Sequence, residues 1–154
     1  METLINTKLI SYTPEQPLKV RKRLSTSEQG KTYTLVLNPE KSSIVYQVDG
    51  VIIKEGNKCD KLVLVETNSM NNLWTEIFVE LKGTDTKHAV VQLEAMLKNS
   101  LFEHKTIKKK LARIVAQKFP RNTGNSFLER ARDNFKKKYN CDLKGFSSGN
   151  TDTL

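Results

Sequence analysis

Residues 59–93 read CDKLVLVETNSMNNLWTEIFVELKGTDTKHAVVQL. Two apolar runs stand either side of a polar TNSMNN loop. An acid, Asp60, opens the first run; Glu80 and Lys82 close the second. Successive side chains of a strand point to opposite faces, so Glu80 and Lys82 share one face and Leu81 takes the other. Ala89, Val90, Leu93, Met96, Leu97 and Phe102 then recur at helical spacing. They predict a helix from an N-cap at Thr84 or Asp85 to about residue 102. Gln92 lies on that helix, four residues after His88 and on the same face.

Outward from this stretch the pattern stays simple. YTLVLN (33–38) is a β-rich run that Asn38-Pro39 is expected to end in a turn, and SIVYQVDG (43–50) is the next strand. VIIKEGNK (51–58) continues it or folds back. LKVRKRL (18–24) suits an exposed strand or a short amphipathic helix, and residues 1–31 as a whole read as an N-terminal extension. After the helix, HKTIKKK (104–110) reads as a basic connector and LARIVAQKFP (111–120) as a strand stopped by Pro120. Ser126 and Glu129 match a capping box, and Leu128, Ala131, Phe135 and Tyr139 form the stripe of a second helix. DLKGFSS predicts a last short strand, and 149–154 a frayed tail. The whole is a single α/β domain: an antiparallel meander, then a crossover helix that makes strands 74–83 and 111–119 parallel neighbours.

Two carboxylates and an amine on one wall of a sheet suit divalent-metal phosphodiester chemistry. Asp60, then Glu80-Leu81-Lys82, then a helix bearing Gln92, resembles the PD-(D/E)xK nuclease superfamily, whose members share the restriction-endonuclease-like fold. Cys59 stands where the family name has proline, a position often replaced. The likeness spans roughly residues 44–120. It implies a mixed central sheet flanked by helices and a Mg²⁺- or Mn²⁺-dependent endonuclease. Asp60, Glu80 and the Leu81 carbonyl would ligate metal, Lys82 would orient the attacking water or stabilise phosphorane-like charge, and Gln92 would bond a metal water or Lys82.

Composition fits a polyanionic partner. The chain has 154 residues, with 26 Lys and Arg against 17 acids, a net charge of +9. The expected partner is DNA, with RNA left open, gripped by Lys87, His88, Lys108, Lys109, Lys110, Lys118 and Arg121. The Lys136–Lys138 run, at a helix C-terminus, is explained by the macrodipole alone. A homodimer or a place in a larger assembly is expected, because one site cuts one strand. No apolar run reaches the ~18 residues of a membrane span, and the two cysteines form no metal motif. The expectation is a cytoplasmic protein.

Other acids compete for the site. Asp49 is an alternative first acid, and Glu28 a weak candidate for an additional one. Glu66 lies on the face of Asp60 but roughly 20 Å along the strand, and Glu76 about 13 Å back from Glu80. His104 reads as surface. The second functional reading is a non-catalytic nucleic-acid-binding or protein-interaction module that keeps the fold. No nucleophile–base pair and no phosphate-cradling glycine loop supports another enzyme class.

Overall fold

The computed structural model describes residues 1–81, 85–119 and 126–154, and the backbone of Ser126 without its side chain. In chain order it contains helix α1 (Leu4–Thr7), strands β1 (Gln16–Glu28), β2 (Lys31–Gln47), β3 (Lys61–Asn68) and β4 (Leu73–Glu80), and helix α2 (Thr86–Lys98). A 3-10 turn (Ser100–Phe102), strand β5 (Ile107–Ala116), helix α3 (Ser126–Tyr139) and strands β6 (Cys141–Ser147) and β7 (Thr151–Thr153) follow. The strands form one mixed sheet in the order β1-β2-β3-β4-β5-β6, with β7 pairing β2. Neighbours are antiparallel from β1 to β4, and β4-β5 and β5-β6 are parallel. The expected meander and crossover are both present.

The two faces of the sheet separate cleanly. Leu62, Leu64, Phe78, Ala112, Ile114 and Leu143 pack under α2 and α3 against Ala89, Leu93, Leu128 and Phe135, joined by Leu4 and Leu9 from the N-terminus. Val63, Val65, Ile77, Val79, Leu111 and Val115 pack on the other face against Leu24, Tyr33, Leu35 and Leu37. Burying each Val, Leu, Ile or Phe among them contributes roughly 1.5–3 kcal/mol. β4 is covered on both sides, and every one of its residues but Leu73 is buried.

Asp85 settles the N-cap choice for α2: its side chain accepts from the backbone N–H of His88 at 3.1 Å. The helix stops at Lys98, earlier than the apolar spacing implied, because Asn99 turns extended and the chain continues as the 3-10 turn.

Four sequence readings are corrected. Asn38-Pro39 is no turn; β2 runs through it. β1 pairs Arg21 with Lys41 and then Arg23 with Val36, so Pro39 falls in a break of the ladder, where a missing N–H costs no strand bond. The bent β2 folds its first half, with β1, over the second face. Residues 1–31 are therefore not an extension: α1 and β1 belong to the core. The 104–110 segment is not wholly a connector, since β5 begins at Ile107. The tail is not frayed. β7 lies parallel to β2, pairing Leu35 with Asp152, and Asp152 is buried. Its carboxylate accepts from Arg113 Nε and from Tyr33 Oη, both at 2.7 Å.

Candidate metal-carboxylate site

Asp60 immediately precedes β3 and Glu80 is the last residue of β4, so both stand at the same end of the sheet. The β3–β4 ladder pairs Lys61 with Val79, and the N–H of Asp60 donates to the Val79 carbonyl at 3.1 Å. Asp60 lies just before that last pair and Glu80 just after it; Glu80, two residues from Phe78, takes the face of Phe78. That face is the one covered by α2 and α3. Asp60 Oδ2 accepts from the backbone N–H of Leu81 at 2.8 Å, which fixes its carboxylate beside the Glu80–Leu81 peptide. The two acids are 0% and 1% exposed.

The surrounding chemistry is consistent with this closeness. Burial, then the charges of Glu80 and Asp60, push the Cys59 thiol well above its ordinary range. Its Sγ is 3.3 Å from the Lys61 carbonyl. A thiol held protonated leaves hard oxygen donors as the available ligands, which suits Mg²⁺ or Mn²⁺ better than a soft metal. Among the described residues no three His, Cys, Asp or Glu side chains converge as a metal cluster. A cation held here would take two carboxylates and complete its shell with backbone oxygen, water and substrate.

Gln92 reaches the same edge from α2. Its Oε1 accepts from the backbone N–H of Lys58 at 3.0 Å, so it braces the loop that delivers Asp60. Lys58 Nζ stands 3.8 Å from Asp49 Oδ1, which places the alternative acid in the adjoining turn. Lys82 and Arg121 lie outside the described residues. Lys87 and His88 are exposed in the first turn of α2, and Lys87 Nζ sits 5.6 Å from the centre of the Phe127 ring. Lys118 is exposed just past the end of β5. The first turn of α2 therefore directs its partly positive end to this edge.

Lys108, Lys109 and Lys110 do not reach it. In the parallel β4–β5 register, Lys109 pairs with Thr75 and Lys110 with Glu76, whereas Glu80 pairs with Ile114. The lysine run is thus about 13 Å or more from the carboxylates along the strand. Reading strand direction alone hid this, because a parallel neighbour starts at the end opposite the one where β4 finishes. Glu28 is corrected as well: it lies on β1 and faces Lys61 at 3.7 Å, on the opposite side of the sheet from Asp60. Glu76 is fully buried, and desolvation raises it to about 8, with Lys110 opposing and Glu103 adding to the rise.

Two residues near this edge escaped the sequence reading. The Phe119 ring occupies the space above Gly145, where a Cβ would lie only 2.0 Å from it. The Phe119 N–H donates to Ser147 Oγ at 2.9 Å. Together they pin the segment carrying Lys118. The available signal was a lone glycine inside a strand, which often marks close approach.

Compared with known proteins, the chain matches no protein-family model, no curated protein and no solved structure. Among the described residues no helix is long and apolar enough to cross a membrane.

Proposed function

We propose that this chain is a divalent-metal-dependent nuclease that hydrolyses phosphodiester bonds of DNA, of the PD-(D/E)xK type that its Asp60 and Glu80-Leu81-Lys82 resemble. The observation that carries the reading is the bond from the Leu81 N–H to Asp60 Oδ2 at 2.8 Å, which sets the buried Asp60 carboxylate beside the buried Glu80 at the end of a central strand. Functional sites concentrate where buried carboxylates gather. Bound Mg²⁺ or Mn²⁺ supplies a lowered water pKa and neutralises charge developing on the phosphate.

The chain's own residues do the rest. Asp60 and Glu80 hold the cation, and the Leu81 N–H keeps the Asp60 carboxylate in one orientation. Gln92 holds the 58–60 loop in register with it. Lys82, two residues from Glu80, supplies the ammonium that orients the attacking water or meets the phosphorane-like charge. Lys87, His88 and Lys118, all exposed, contact the scissile strand.

The test is direct. Purified protein with Mg²⁺ or Mn²⁺ should degrade DNA, a chelator should stop it, and Asp60→Ala or Lys82→Ala should abolish it. Cleavage that survives both substitutions overturns the assignment. Duplex binding without cleavage by the unaltered chain points to the non-catalytic reading, which the +9 charge also accommodates.

A further inference from the structure

The lysines that lie away from the carboxylates gather on one another. Lys110 pairs with Cys141 across β5–β6, and only Asn140 separates Cys141 from the last residue of α3. This sets the start of β5 at the same end of the sheet as the last turn of α3, which carries Lys136, Lys137 and Lys138; Lys109, two residues before Leu111, points to the other face from that same end. Tyr139 Oη in that turn donates to Glu94 of α2 at 2.8 Å, one helical turn before Lys98. The ends of both helices and the start of β5 therefore meet at the edge of the sheet opposite Asp60 and Glu80. Lys98, Lys108, Lys109 and Lys136–Lys138 are all exposed, and among the described residues none of these six is in an ion pair.

The acids nearby do not balance them. Glu94 is engaged with Tyr139, Asp142 faces Arg113 at 3.1 Å, and Glu76 is buried. Glu103 and Asp133 are exposed and leave the cations in excess. The helix macrodipole accounts for the trio on α3, at about 0.3–1 kcal/mol each. It does not account for Lys108 and Lys109, which sit on a strand. A concentrated field of one sign lowers its self-repulsion by taking a polyanion.

We propose that this edge is a second docking surface, for the phosphate backbone of a nucleic acid, distinct from the carboxylate edge. It contributes sequence-independent grip at a distance from the chemistry. It extends the nuclease reading by giving the substrate a second hold, yet it does not need the carboxylates to work.

The experiment measures fluorescence anisotropy of a labelled duplex of about 20 base pairs across a salt series, in EDTA and on a Glu80→Gln background, so that cleavage plays no part. One variant carries Lys136→Gln, Lys137→Gln and Lys138→Gln; a second carries Lys108→Gln and Lys109→Gln. Each is expected to weaken binding about tenfold or more at low salt, and to flatten the log–log salt slope by about 0.9 for every phosphate that the variant no longer neutralises. Thermal melts verify folding, and the two variants alter different elements, so instability in one leaves the other decisive. Unchanged affinity and slope in both overturn the proposal. So does binding to vesicles of phosphatidylserine and phosphatidylcholine with none to duplex, which would make the surface a membrane contact. If the lysines bind duplex but the unaltered protein never cleaves with Mg²⁺, the nuclease reading fails and this one stands. Cleavage with inert lysines gives the reverse.

Discussion

The backbone N–H of Leu81 donates to Asp60 Oδ2 at 2.8 Å, across two strands joined by a loop that begins and ends elsewhere in the sheet. This bond separates a structural duty of Asp60 from a chemical one. Asn at position 60 keeps an acceptor for that N–H but carries no charge; Ala leaves a buried donor unmet, at about 1–3 kcal/mol. Asp60→Asn is therefore expected to melt close to the unaltered protein, and Asp60→Ala about 2–10 °C lower. Both should lose Mn²⁺ binding in titration calorimetry. An Asn variant that binds Mn²⁺ as before would remove Asp60 from the metal site.

Gln92 acts on the site through the Lys58 N–H, 3.0 Å from its Oε1, and so is a positioning residue. Groups that orient ligands in this way typically cost 10- to 100-fold in metal affinity or activity when removed. Gln92→Ala is expected to fall in that range in nuclease rate. Gln92→Glu, which keeps an acceptor of the same reach, should restore most of it. An Ala variant with unchanged rate and unchanged Mn²⁺ affinity denies Gln92 this part.

What could be read from the chain was the part set by local pattern. β3 and β4 show apolar runs bounded by polar loops, and α2 shows a stripe opened by a cap at Thr84 or Asp85, so both acids and Gln92 could be placed on their elements beforehand. What escaped depends on partners distant in sequence. Lys108–Lys110 have weak strand preference, and pairing with β4 draws the segment from Ile107 into the ladder, with β6 joining at Lys110. Pro39 carries a turn signal, yet a break in the β1–β2 register absorbs it. Polar residues 149–154 offer no hydrophobic period. They are ordered by Arg113, 39 residues from Asp152 in sequence.

That last contact carries its own expectation. Arg113 is buried, and although burial alone would lower its pKa, Asp152 more than offsets this and raises it. The Phe146 ring lies 5.8 Å from its guanidinium, and Tyr33 Oη also donates to Asp152 Oδ2. Removing one member of a buried pair costs up to about 3–5 kcal/mol, even though Asp142 at 3.1 Å still meets Arg113. Asp152→Ala is expected to show a loss of that size in chemical denaturation, far more than Glu40→Ala on the exposed part of β2. A loss under about 1 kcal/mol would mean that β7 contributes little to the fold.

Glu76 predicts how stability changes with pH. It is buried on the α2–α3 face, and among the described residues its Oε2 has no hydrogen-bond partner. Desolvation lifts its pKa from 4.5 to about 8 in the folded chain. Between those values the folded state keeps a proton that the unfolded state has released. The stability tied to this proton is fully present below the unfolded value, and it is lost as pH rises through the folded one. The loss is at most about 1.4 kcal/mol per pH unit within that window. Glu76→Gln keeps the shape and removes the ionisation. The expected result is a melting temperature that falls more steeply with rising pH in the unaltered protein than in the Gln variant, leaving the variant the more stable of the two at the alkaline end. Parallel curves across the window would show that Glu76 does not hold its proton in the fold.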